Sequence, residues 1–381
     1  MAKIKTIDPR QRHKSPKKKT TERRSPTELL EQAAVHVQQS QPGVALPLAA
    51  NALSQFDTIS QTDPKAPIPA LVLLAQINLE LGEPDEARQY FVRADRLDPD
   101  GQIASAEPSL WLAQLSEEGG HDSIRWFEKG VNILKDETQY LEGLGPEDVE
   151  AQVVAAEKKV RIAEALCSMA EVYMTDLSFE DDAEQKCETY VTEALLLAPN
   201  APATLQTLAS IRISQTRVDE AQKALERSID LWQGLPADDP GIPEYATRIS
   251  LSRLLMEVEM EEKALQVLER LVLEDDQSVE AWYLGGWAHF LRAQKGADVK
   301  ELSREWLRNA LRLYRLQEYE DERLMEHAKE LVASLDVELG GPIEEEEEWE
   351  DEEDGEEEGD SEFEGFPDED EIGPKDVEMT T

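Results

Sequence analysis

Residues 70–99 constrain the fold more than any other stretch, because they hold one complete helix-turn-helix unit. Leu71, Leu74, Ala75 and Asn78 fall at helical spacing, Gly82 supplies a turn, and Ala87, Phe91, Ala94 and Pro99 complete a second helix and its stop. The small residues carry the argument. Ala75, Ala87 and Ala94 fall where two antiparallel helices approach closest, and a larger side chain there would force them apart. Pro99 after Asp98 ends the second helix, since proline has no N–H to donate and its ring clashes with the preceding turn. A single hairpin cannot bury its own apolar faces, so one real copy requires neighbours.

With its softened W-x2-L-G-x2-Y spacing, this unit resembles a tetratricopeptide repeat, whose period is about 34 residues. The resemblance implies an all-α solenoid, and further hairpins are readable along the chain. The first opens at Thr27 as N-cap and places Leu29, Ala33 and His36 on one helix, with Ala45, Ala49 and Ala52 on the next. The third is eroded: 109–118 gives its first helix, Gly119-Gly120 its turn and 124–134 its second. After Gly143-Leu-Gly-Pro146, periodicity resumes at Pro146 and runs through Ile162, Leu166, Met169 and Tyr173. Two further hairpins follow, and then Ala281-Trp-Tyr-Leu-Gly-Gly-Trp287, which has the aromatic start and paired glycines of a repeat's first helix. The expectation is about seven hairpins plus a polar capping helix over 318–337. In domain terms this gives a disordered basic arm over 1–26, a superhelix over 27–337 and a disordered acidic tail over 338–381.

Charge defines the two ends. The 381 residues carry a formal net charge of -44. Residues 338–381 hold 23 Asp or Glu against one Lys, and residues 1–24 hold 10 Lys or Arg against two acids, which leaves about -30 on the part between them. Glu344 to Glu358 is too charged and too poor in branched apolar residues to offset the entropy of folding. Lys17, Lys18, Lys19, Arg23 and Arg24 make a cluster suited to an acidic import receptor, equally readable as a solvated tail. Ser15-Pro and Ser25-Pro flank it as candidate phosphorylation sites.

The sequence carries no motif of catalytic chemistry. There is no phosphate-binding loop, no His-Glu-x-x-His and no nucleophile elbow. Cys167 and Cys187 form no disulfide framework and no metal-ligand spacing, and His289, inside an aromatic helix, reads as a packed or rim side chain. No catalytic residue, cofactor or metal is expected, and the longest apolar run, 68–77, is too short to cross a bilayer. The chain reads as a binding protein.

Such solenoids present the first helix of each hairpin on a concave face, which nominates Glu80, Gln114, Glu117, Glu118, Glu164, Glu171, Glu257, Tyr283 and Trp287 as client contacts. An acidic groove focuses field of one sign, repels nucleic acid and favours a basic client. A Lys-Asn clamp of the kind that holds heat-shock carboxylates is missing: Gln206, Ser210, Arg248 and Arg253 occupy the corresponding stretches.

The whole layout of basic arm, irregular repeats, acidic body and Glu/Asp tail resembles the fungal dedicated assembly chaperones of large-subunit ribosomal protein four. That resemblance implies capture of a newly made basic ribosomal protein, shielding of its rRNA-binding extension and escort to nuclear pre-ribosomes. The expected partners are that client and a nuclear-import receptor, without direct nucleic-acid or membrane binding, in cytoplasm and nucleus. Two alternatives stay open on the residues alone: an adaptor subunit of a multiprotein complex, and a histone chaperone.

Overall fold

In the computed structural model, residues 24–59, 63–237 and 239–341 are described. They form fifteen helices and no strand. In chain order these are α1 (Pro26–Gln38), α2 (Pro42–Ile59), α3 (Ile68–Glu80), α4 (Pro84–Leu97), α5 (Glu107–Gln114), α6 (Gly120–Gly143), α7 (Val149–Met174), α8 (Ala183–Leu197), α9 (Pro202–Ser214), α10 (Val218–Asp230), α11 (Tyr245–Glu257), α12 (Glu261–Glu274), α13 (Val279–Gln294), α14 (Lys300–Leu316) and α15 (Glu322–Leu339). Each odd-numbered helix from α1 to α13 packs on the even-numbered helix after it, giving seven hairpins, and α15 closes the array on α14.

The curvature follows from which helices touch across the repeats. First helices meet one another: α1 with α3, α7 with α9, α9 with α11, α11 with α13, and α13 with α15. Second helices pack on their own partner and on the first helix that follows, and reach one another through long side chains, as in the ion pairs Lys129–Asp95, Lys135–Glu193 and Lys263–Glu226. Closer spacing on one side bends the stack toward it, so the first helices line the inner wall.

Local chemistry sets the ends. α1 starts at Pro26 with Ser25 as its cap, two residues before the Thr27 cap expected, because Ser25 forms a capping box: its Oγ accepts from the Glu28 N–H at 3.2 Å and its own N–H donates to Glu28 Oε2 at 2.9 Å. Gly82 makes the α3–α4 turn with φ of 77°, a left-handed conformation that costs glycine little. α15 ends when Gly340 turns left-handed and its N–H closes on the Asp336 carbonyl.

The small-residue reading holds in detail. Ala75, Ala87 and Ala94 are all fully buried beside Leu71, Leu74 and Phe91. Four expected helices have different extents, among them the capping helix, which runs over Glu322–Leu339 and not 318–337 because Asp321 caps it. α5 stops at Gln114 and not at Glu118; α6 continues to Gly143, well past 134; α7 begins at Val149 with Asp148 as its cap, because the glycine-proline stretch before it forms a turn.

Asp98 was read only as the residue before a helix-stopping proline, yet it organises the loop that follows. Its carboxylate, 4% exposed, accepts the N–H groups of Gln102, Ile103 and Ala104 at 3.0, 2.7 and 3.0 Å, and the Lys65 ammonium at 3.1 Å. Burial pushes its pKa up, but the three N–H donors and Lys65 together prevail and hold it below the usual aspartate value. A carboxylate depressed in the fold contributes stability that is present above its unfolded pKa and is lost as pH falls through the folded value. Asp98→Ala should therefore cost roughly 2–3 kcal/mol at neutral pH, since charge-assisted hydrogen bonds are involved, and its deficit relative to wild type should shrink in acid. Thermal melts of both proteins at neutral and acidic pH check this, and a constant or absent deficit would refute the role.

His289, expected at a packed or rim position, is packed: it is 3% exposed, and neither ring nitrogen has a hydrogen-bond partner. It lies edge-on to Trp306 with ring centroids 5.6 Å apart. Burial, helped by Arg292, lowers its pKa to about 4, so it is a neutral core group at physiological pH.

Candidate client-binding groove

The inner wall is built from the solvent-facing stripes of the first helices. On α7, Glu164 and Glu171 lie two turns apart on one exposed face. Both remain open to water yet stand amid surrounding protein. That crowding raises the pKa of Glu164, partly offset by Arg161 and reinforced by Glu244; it also raises Glu171, partly offset by a hydrogen bond from Thr207 of α9. An exposed carboxylate that is nonetheless poorly hydrated is what a concave surface produces, and it gains more from a neighbouring cation than a convex one does.

The neighbouring wall is neutral. Thr204 and Thr207 of α9 stand beside the Cys167 thiol of α7, whose pKa burial pushes up to about 11 against their lowering influence. Cys187 is also buried, and both cysteines are free thiols. With its thiol held protonated, Cys167 is a packing group and not a nucleophile.

A second cluster closes the carboxy-terminal end. Glu257 of α11 and Tyr283 and Trp287 of α13 line a cavity of about 540 Å³ together with Arg253, Asp321 and Arg323. Its aromatic side is braced from α15: the Tyr283 hydroxyl and His327 Nδ1 are 2.7 Å apart, and the Trp287 and His327 rings meet edge-on at 5.1 Å. Sequence reading nominated the two aromatics but missed His327, since nothing local to α15 marks a residue whose role is set by α13.

Of the nominated contacts, then, Glu164 and Glu171 share α7, and Glu257, Tyr283 and Trp287 share the terminal cavity. Glu80 is the exposed last residue of α3 and Gln114 the exposed last residue of α5; α3 and α5 are joined by a hydrogen bond from Gln76 Nε2 to Glu107. Glu80 and Glu257 enter no ion pair among the described residues. Glu117 and Glu118 do not fit the stripe. Both lie beyond α5 in the connection to α6, and Glu117 pairs with Arg88 of the second helix α4 at 3.3 Å, which puts it on the rim. The expectation failed there because α5 is two turns long and ends before them. Lys17, Lys18, Lys19 and Arg23 lie outside the described residues, as does the chain from Pro342 onward; Arg24 donates from Nη1 to Gln32 Oε1 at 2.6 Å.

Residues 30–101 match the tetratricopeptide-repeat family. A protein of Emericella nidulans described as a probable assembly chaperone of rpl4 is 46% identical over 360 residues, covering 85% of this chain and 88% of its own length. The chain belongs to the family of assembly chaperones of rpl4. A second member, from Schizosaccharomyces pombe and described in the same words, is 38% identical over 305 residues, covering 75% of this chain and 87% of its own. Among solved structures, one described as Assembly Chaperone of RpL4 (Acl4), residues 1–338, superposes with a TM-score of 0.64 at 47% identity, covering 71% of this chain and 98% of that one. For this assembly-chaperone family the helical solenoid is thus shared in sequence and in three dimensions. No described helix is long and apolar enough to cross a membrane, and no group of three or more His, Cys, Asp or Glu among the described residues is arranged to hold a metal ion.

Proposed function

We propose that this chain is a dedicated chaperone of newly made rpl4, a basic large-subunit ribosomal protein, and that it covers the client's rRNA-binding extension until delivery to nuclear pre-ribosomes. The observation that carries this reading is the identity with two assembly chaperones of rpl4 over most of the chain. The inner wall supports it physically. An rRNA-binding extension without rRNA is a dense run of uncompensated positive charge, prone to bind stray nucleic acid. Carboxylates such as Glu164 and Glu171 complement it, and Tyr283 and Trp287 provide aromatic surface for its aliphatic stems and guanidinium planes. Release is built into the same chemistry, because rRNA offers denser negative charge than the groove. The role is non-catalytic.

The five basic residues Lys17, Lys18, Lys19, Arg23 and Arg24 are proposed as an import signal that takes the loaded chaperone into the nucleus. One set of tagged strains tests both parts. Affinity purification should recover rpl4 as the dominant stoichiometric partner, and replacing the five residues with alanine should lower nuclear accumulation without affecting that recovery. Recovery of histones, or of many stoichiometric partners without rpl4, would replace this reading with one of the two alternatives.

A further inference from the structure

α7 is about twice as long as most first helices, and its neighbours cover only part of it. Thr204 and Thr207 of α9 stand beside Cys167 and Glu171, so Pro202, where α9 begins, lies level with about residue 165 of α7. The helix upstream of that level, from Val149 to about Ile162, has α6 alongside but no α9. Ion pairs from Lys158 to Glu137 and from Lys159 to Glu142, and a hydrogen bond from Gln152 Nε2 to the Gly145 carbonyl, fasten it to α6 and orient it.

On this overhang the side chains facing α6 are small and buried, Ala151 and Ala155, whereas Val149, Val153 and Val160 are 70, 53 and 40% exposed. At 100° per residue, Val149, Val153, Ala156 and Val160 fall in the same narrow sector of the helix as Glu164 and Glu171. α7 thus presents one stripe about 33 Å long, apolar in its first half and anionic in its second, with Glu157 flanking it; its solvent face is interrupted between the two carboxylates, where α9 covers Cys167. Exposed valines at i, i+4 and i+11, with Ala156 at i+7, are unusual on a helix in so charged a chain, where solubility alone would favour Glu or Lys.

We propose that the Val149–Val160 face is the apolar half of the client site, and that it takes a segment of the basic client in which aliphatic or aromatic side chains lie next to a Lys/Arg run. The inference rests on the functional reading above and extends it beyond charge. The occupant follows from continuity: the valines and the two groove carboxylates share one stripe on one rigid helix, so a chain laid along the carboxylates passes directly over the valines. About ten residues in extended conformation span the whole stripe. The two halves also divide the labour physically, because apolar burial is insensitive to salt whereas the carboxylate half is screened by it.

The test measures binding of purified rpl4 to the full chain at two salt concentrations. The triple variant Val149→Ser, Val153→Ser, Val160→Ser should bind tenfold or more weakly at both concentrations while keeping its helical circular-dichroism signal and a cooperative melt, because none of the three side chains belongs to the buried core. The Glu164→Gln, Glu171→Gln variant should lose affinity mainly at low salt. A photo-crosslinking amino acid at Val153 in the otherwise unaltered chain should label rpl4. Wild type that binds while the triple variant binds within twofold of it and position 153 labels nothing would overturn this inference and leave the chaperone reading intact. Wild type that does not bind rpl4 at all would remove both. If the free chain self-associates and the serine variant does not, the occupant is a second copy and the assignment is wrong.

Discussion

Reversing Glu164, Glu171 and Glu257 to lysine weakens binding of a Lys/Arg-rich ribosomal client by about a hundredfold or more, whereas reversing Glu117 and Glu118 changes it only a few fold. The difference is one of position and not of charge count. Glu117 is on the rim and already spends part of its field on Arg88; exposed pairs of that kind contribute about 0–1 kcal/mol. Glu164 and Glu171 are crowded by the α7–α9 wall, where poorer hydration raises their pKa and strengthens their attraction for a cation. Each reversal replaces an attraction of about 1 kcal/mol with a comparable repulsion, so three together amount to about 3–6 kcal/mol, or two to four decades in Kd. Salt separates the mechanisms further. With a Debye length of about 8 Å at physiological ionic strength, groove charges in contact with the client are screened less than charges that act from a distance. Titration calorimetry of each variant at two salt concentrations decides the matter. Equal losses for the groove and rim variants would mean that net charge alone draws the client and the inner wall has no special role.

The largest stability effect is expected at the paired glycines of α13. A Cβ built on Gly285 lies 2.2 Å from Cε3 and Cζ3 of Trp306, and one on Gly286 lies 2.6 Å from Leu307 Cγ and 2.9 Å from its backbone nitrogen. Neither neighbour can yield cheaply. Trp306 is held edge-on against Trp282 with centroids 4.7 Å apart and lies against His289 on its other contact, while the Leu307 nitrogen belongs to the α14 backbone. The Ser303 hydroxyl also donates to the Gly286 carbonyl at 2.8 Å, which ties the two helices at the point of closest approach. Overpacking of this kind costs about 1–3 kcal/mol per site, so Gly285→Ala, Gly286→Ala together should destabilise by roughly 2–6 kcal/mol. In a solenoid the damage is local, since each repeat contacts only its neighbours. Hydrogen exchange should accelerate in α13 to α15, with α1 to α4 unaffected, and the terminal cavity lined by Tyr283 and Trp287 should lose its shape and its share of client affinity. A double variant that melts within a degree of wild type would show that α13 and α14 have room to separate.

The same glycines mark where sequence reading succeeds and where it stops. Ala75, Ala87, Ala94 and the Gly285-Gly286 pair are legible without coordinates, because a small residue at a fixed place in a helical period encodes close approach, and close approach defines the repeat. By itself the sequence therefore determined the all-helical class, the seven hairpins with a closing helix, and the sign of the charge on the body. It misjudged α5 and α7 because glycine and proline mark turns but do not say on which side of them the helix ends. The site was less legible still. Glu117 and Glu164 look alike in sequence, each an acid close to apolar residues at helical spacing. What separates them is that α5 ends before Glu117 and leaves it beside Arg88, whereas α9 lies along α7 and crowds Glu171 and its neighbours. Asp98 and His327 take their roles from residues on other elements, Lys65 and Tyr283, 33 and 44 positions away. Helix formation and hairpin packing are written in spacings of three, four and about thirty-four residues, which a single chain displays. The membership of the inner wall depends on the rotation of each helix about its own axis and on the bend of the stack, quantities that only the packed superhelix sets.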